Sequence, residues 1–184
     1  MFIETERTPN PATLMFRPGR AVTDGATADF ATPESAEASP LAAALFSLGD
    51  VERVFFGGDF VSVTKAEGSA DWTALKPQVL GVLVDHFSSG APLFSVADSG
   101  PIVAENPEDA EIVAQIQELL ETRVRPQVAG DGGDIVYRGF DKGTVYLEMQ
   151  GACSGCPSST ATLKMGIESL LKYYVPEVID VRAV

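Results

Sequence analysis

The chain is poor in cysteine, histidine and tryptophan, with two, one and one of them in 184 residues. Two thiols are too few for the disulfide framework of a small secreted protein. Clusters of Lys and Arg are also missing, which removes the electrostatic footprint of a nucleic-acid binder. No stretch approaches the roughly 20 apolar residues that cross a bilayer, so no membrane span is expected. The opening MFIETERTPNP has neither the apolar run of a signal peptide nor the Arg/Ser-rich pattern of a transit peptide. The expectation is a protein of a bacterial cytoplasm, or of the mitochondrial matrix if a presequence has been removed. In such a chain two cysteines point to redox or metal chemistry.

What the chain does have is acid. With 26 acidic and 13 basic residues the net charge is −13, divided almost evenly: residues 1–100 hold 13 acids against 6 bases, and residues 101–184 hold 13 against 7. That balance keeps a protein soluble and disfavours anionic partners. Hydrophobic residues make up 45%, enough to build one large core or two small ones at this length.

Local patterns favour two. FIETERT and LMFRPG read as short extended pieces joined by the proline turn PNPA. Residues 21–40, without a single base, read as a loop. Ser39 caps a short helix that has Pro40 at its first position. VERVFF, the turn GGD and FVSVTK form a hairpin. Asp71 caps a helix carrying Trp72, Leu75, Val79, Val82 and Leu83 on one face, and Pro77 predicts a kink or a later start. Residues 95–107 have the Gly/Pro/acid mix of a linker. Beyond it, Ile112, Val113, Ile116, Leu119, Leu120 and Val124 mark a helix that Arg125-Pro126 should end, because a residue before proline is pushed out of the helical region. VAGDGGD reads as a flexible turn, and IVYRGF, DKG and TVYLEMQG as a second hairpin. A helix from Pro157 and a last strand in VIDVRAV follow. The expected fold is α+β in two small domains: residues 1–94, the linker 95–107, and an α-β-β-α-β unit over 108–184 with a Cys-x-x-Cys between hairpin and helix.

That motif, GACSGCP, holds Cys153 and Cys156. A thiolate, not a thiol, ligates metal or attacks disulfides. The start of a helix offers free N–H groups and about half a positive charge, which predicts lowered pKa values for both thiols. Gly151, Ala152 and Ser154 add no bulk to cover them. A dithiol redox centre needs only one such motif, with Cys153 as the more exposed thiol. That motif is expected near a β-α-β pattern, however, and here it follows an antiparallel hairpin. A zinc site or an iron–sulfur cluster needs four ligands. One chain supplies two sulfurs, and His86 lies on the far side of the linker, so a tetrathiolate site requires two chains related by a two-fold axis. Spacing alone leaves the redox and the shared-metal readings open.

RPQVAGDGGDIVYRGF, GTVYLEMQGACSGCPSSTATLKMGIE and the closing VPEV closely resemble the NifU C-terminal-like domain of the Nfu proteins. TERTPNPATLMF, TADF, SPLAAALF and VFFGGDFVSVTK resemble the Nfu N-terminal domain. The resemblance covers nearly the whole chain; around SLGDVERV the family more often has a Pro-Gly-Val turn, from which Asp50 departs, a difference that touches only a local turn. It implies an iron–sulfur carrier or scaffold, not an enzyme, acting as a homodimer with a [4Fe–4S] cluster held by Cys153 and Cys156 of each protomer. A [2Fe–2S] cluster is the less favoured alternative. The implied partners are apo iron–sulfur client proteins and cluster assembly proteins. Two helix N-termini would offset part of the cluster's −2 charge, and parting the protomers would free half its ligands.

Other candidates have plainer readings. Asp131 and Asp134 are expected as turn residues, and Ser158 and Thr160 as partners for free helical N–H groups. Met149 and Met165 are expected in core or interface packing, His86 at the surface or as a cap, and Trp72 in the core. TPNP is read as structural. The front domain has no nucleophile–base pair or phosphate loop, and its expected role is contact with clients or assembly proteins.

Overall fold

A computed structural model describes residues 2–93, 106–154 and 157–184, with the backbone alone at 157–159. Most of the expected linker, together with Gly155 and Cys156, lies outside the described residues. The chain divides into two compact units, Met1–Ala97 and Asp98–Val184. Among the described residues no helix is long and apolar enough to cross a membrane.

The first unit is an antiparallel sheet with two helices. Strands β1 (Glu4–Arg7), β2 (Thr13–Arg17), β3 (Ala28–Phe30), β4 (Val51–Phe56) and β5 (Val61–Lys65) lie in the order β1-β2-β5-β4-β3. The β4–β5 turn depends on glycine at Gly57, where a Cβ would fall 2.4 Å from the Phe60 ring. Helix α1 (Pro40–Phe46) starts as its sequence predicts, with the Ala42 N–H donating to Ser39 Oγ at 3.2 Å. Helix α2 (Trp72–Ser89) begins at the expected Asp71 and continues through Pro77, which is exposed. Leu75, Val79, Leu83 and Phe87 of α2 pack with Leu41 and Leu45 of α1 and with Phe16, Val54, Phe56 and Val63 of the sheet. Thr8, Asn10 and Thr13 tie down the proline turn, and the Trp72 indole donates to the Pro11 carbonyl at 3.3 Å, so TPNP is a well-held turn. Trp72 itself lies at the margin of the core.

Residues 21–40 depart from the expected loop. Ala28–Phe30 forms the edge strand β3, paired with Val54–Phe56. Phe30 packs edge-on to Phe56 at 5.3 Å, and Val22 is buried while its N–H donates to the Gly58 carbonyl at 2.8 Å. Three strand residues among Ala, Thr and acids are too few to show a period of two.

The second unit is α-β-β-α-β, as expected. A short turn at Pro107–Asp109 leads into α3 (Ala110–Leu119). The helical path does not end at Arg125-Pro126. It widens into a π turn (Leu120–Val124) and continues as α4 (Arg125–Gly130). The Arg125 N–H reaches back five residues to the Leu120 carbonyl, so the ladder steps over by one just where Pro126 has no N–H to give. The stretch read as a flexible turn is therefore mostly helix end and strand start. Strands β6 (Gly133–Asp141) and β7 (Thr144–Gly151) form a hairpin whose turn has Lys142 at φ 48° and Gly143 at φ 84°, the twist-matched primed geometry. Helix α5 (Pro157–Tyr174) begins at the predicted proline and leads to β8 (Asp180–Ala183), which pairs parallel to β7. Ile116, Leu120, Leu147, Leu171 and Val181 form the centre of the second core.

Candidate functional site

The end of β7 positions Cys153. At Gly151 the backbone turns to φ 64°, a conformation that glycine adopts without a Cβ clash, and the chain leaves the sheet. Gly151 is still the register partner of Gly133, and the Ala152 N–H donates to the Gly132 carbonyl at 3.1 Å. Thr160, in the first turns of α5, donates its hydroxyl to the Cys153 carbonyl at 2.9 Å. It thus ties the cysteine loop to the helix instead of satisfying helical N–H groups. The sulfur lies against Gly133, where a Cβ would stand 2.7 Å from Sγ and 2.6 Å from the Gln150 carbonyl. Residues 132–134 thus form a shelf, and only glycine fits at its middle.

The state of this thiol differs from the expectation. Cys153 is 6% exposed and belongs to the hydrophobic core of its unit. Gly151 and Ala152 are buried with it, so these two small residues pack closely, whereas Ser154 is half-buried. Burial, followed by the nearby charges of Asp131 and Asp134, pushes the Cys153 thiol up to about 12. The predicted lowering by a helix start is overturned by desolvation and by two acids. Cys156 and the Ser158 side chain lie outside the described residues.

The two acids of GDGGD have separate circumstances. Asp131 is exposed, whereas Asp134 is 3% exposed. Its carboxylate takes a two-armed fork from Arg125, Nε to Oδ1 at 2.9 Å and Nη2 to Oδ2 at 2.8 Å, and accepts the Ile135 N–H at 2.8 Å. The remaining arm of Arg125 reaches Glu121 Oε1 at 2.5 Å. Hydrogen bonding to Asp134 holds the guanidinium above its already high ordinary value. Sequence reading placed Asp134 in a turn and Arg125 at a helix end, and missed their pairing. The signal was the π turn, which an apolar period does not reveal.

Met149 is core, as expected, but Met165 is 70% exposed. His86 stands in the last turn of α2. It is half-buried in the first unit, its ring edge-on to Phe87 at 5.7 Å, and burial lowers its pKa. Among the described residues no three or more His, Cys, Asp or Glu side chains gather where they could hold a metal ion. Cys153 is a free thiol.

Two family models match the chain: "Scaffold protein Nfu/NifU N terminal" over residues 3–90 and "NifU-like domain" over residues 116–182. "NifU-like protein 5, mitochondrial" of Arabidopsis thaliana is 54% identical over 97% of this chain and 66% of its own length. "NFU1 iron-sulfur cluster scaffold homolog, mitochondrial" of Homo sapiens is 50% identical over 100% of this chain and 72% of its own. The chain spans roughly two thirds of the length of the curated relatives it matches. A solution structure of a NifU-like protein from Saccharomyces cerevisiae superposes with a TM-score of 0.48 at 24% identity, over 53% of this chain and 87% of its own. The fold described above stands on this chain's own strand order.

Proposed function

Because the chain belongs to the Nfu/NifU-like family of iron–sulfur cluster scaffolds, we propose that it carries a [4Fe–4S] cluster between two copies of itself. Cys153 and Cys156 of each copy are the ligands in this reading. The cluster is cargo, delivered to apo client proteins by exchange of thiolates, with no substrate turnover. The observation that carries the reading is that both family matches extend over one chain whose only two cysteines, Cys153 and Cys156, fall inside the second match. Two sulfurs are half of a Cys₄ set, so a second chain is the simplest source of the rest.

The geometry of Cys153 supports a ligand over a redox nucleophile. A disulfide exchanger works through an exposed thiolate, whereas this thiol is buried and holds its proton at neutral pH. Iron can displace that proton on binding, because a coordinating thiol is deprotonated outright. The sulfur is then fixed by what surrounds it: Gly133 beneath, Thr160 on its own carbonyl, and the β6–β7 pairing behind. We assign cluster binding to residues 108–184 and contact with clients or assembly proteins to residues 1–94, joined by a linker over 95–107. Relatives named mitochondrial support the matrix as one of the two expected compartments, a bacterial cytoplasm being the other.

Anaerobic reconstitution with iron and sulfide tests the assignment. The expected product is brown and holds about four irons per two chains, and Cys153→Ser or Cys156→Ser abolishes it. A colourless product with active disulfide exchange supports the oxidoreductase instead, and zinc retained on purification supports a structural zinc dimer.

A further inference from the structure

The shelf beneath Cys153 has an anchor of its own. Gly132 accepts the Ala152 N–H at 3.1 Å, Gly133 supports the sulfur, and Asp134 ends the shelf with a carboxylate 3% exposed to water. Burying a charge so far from water is costly unless a cation with good geometry meets it. Arg125 does so with both arms of its fork, at 2.9 and 2.8 Å, from the start of α4. The extra residue in the π turn is what advances Arg125 around the helix relative to α3. Arg125 is one of 13 bases among 26 acids, and its partner Asp134 is one of the two acids whose charge the Cys153 sulfur feels.

We propose that Arg125 is a positioning residue for the cluster: by forking Asp134 it fixes the shelf under Cys153 and offsets the carboxylate's charge beside an anionic cargo. This rests on the reading of Cys153 as a cluster ligand. Partners one shell beyond a ligand orient it and tune the metal. Arg125 is linked to Cys153 through Asp134 and Gly133, so its replacement should act on retention and potential without removing a ligand.

Glu121 makes the two partners unequal. When Asp134 becomes Asn, Arg125 keeps the Glu121 carboxylate at 2.5 Å. When Arg125 becomes Gln, the buried carboxylate loses its fork. Arg125→Gln should therefore do more harm than Asp134→Asn, and combining them should undo most of that harm, because the side chain that loses the fork is then uncharged.

The test uses full-length protein reconstituted with cluster: wild type, R125Q, D134N and the double variant. Cluster loss to a chelator, the cluster's midpoint potential and thermal unfolding are measured for each. R125Q is expected to lose cluster about 10- to 100-fold faster than wild type, with the double variant recovering most of the loss. Potentials should move in opposite directions, lower for R125Q and higher for D134N, with the double variant near wild type. A purely structural role would shorten retention without that opposition of sign. D134N keeps the test decisive should R125Q fail to fold. Wild-type retention and potential in R125Q overturn the proposal, as does a double variant that loses cluster as fast as R125Q. A wild-type protein that takes up no cluster overturns the ligand reading and this inference with it.

Discussion

At the scale of single residues, Cys153 carries the sharpest consequence. Burial and two acids push its thiol up to about 12, so it should resist alkylation at neutral pH. In a Cys156→Ser variant, the rate with iodoacetamide should stay below that of an unfolded thiol at pH 7 and rise steeply only in strongly alkaline buffer. Half-titration near the ordinary cysteine value of about 8.5 would contradict the buried geometry. The linkage has a definite sign. Between the ordinary thiol value and about 12 the folded chain keeps a proton that the unfolded chain gives up, so this group makes stability fall as pH rises through that window. Gly133 gives a companion prediction. Its added Cβ would press on the sulfur at 2.7 Å and on a backbone carbonyl at 2.6 Å, so Gly133→Ala should impair cluster uptake even where the fold survives. Uptake equal to wild type would show that the shelf can yield. The two cysteines stand out in the sequence as candidates because two thiols at a fixed spacing have few uses. The glycine shelf and the Arg125–Asp134 fork were not. They depend on which backbone segments approach across a sheet and around a π turn.

Among the elements, those with a long apolar period were the legible ones: α2, α3, α5 and both hairpins stand where periodicity predicts them, although the Asp71 side chain makes no cap hydrogen bond to α2. Helix α2 starts ahead of Pro77 and runs through it, and two further readings failed for different physical reasons. Proline was expected to end a helix, but a ladder that steps over by one residue has no need of its N–H. An acidic, alanine-rich run was expected as a loop, but Phe30 alone brings enough apolar surface to seat a strand beside Phe56. Phe30 is 6% exposed, so Phe30→Ala should cost about 3–5 kcal/mol in denaturant unfolding of the first unit, the range for deleting a buried ring. A mobile loop over residues 21–40 would instead give a loss near zero.

For the molecule as a whole, charge sets the conditions of assembly. Two copies of net charge −13 repel, and in the proposed carrier they meet so that Cys153 and Cys156 of both share one cargo. Screening lowers that repulsion, and the Debye length falls from about 30 Å at 0.01 M salt to about 8 Å at 0.15 M. The cluster-bound dimer should therefore dissociate less readily as salt rises over that range, as sedimentation at several ionic strengths can establish. A dimer weakened by salt would point to ion pairs across the contact instead. The division into two units was legible from local patterns, because a Gly/Pro/acid stretch separates two apolar sets, each with its own sheet. The purpose of the first unit was not, since it carries no nucleophile–base pair or phosphate loop from which a role could be read. The central claim is that one chain holds half of a cluster site, and anaerobic native mass spectrometry of the reconstituted protein tests it most directly. The account predicts a species of two chains plus one Fe₄S₄ unit, with any released monomer free of cluster. A single chain carrying a complete cluster would contradict it.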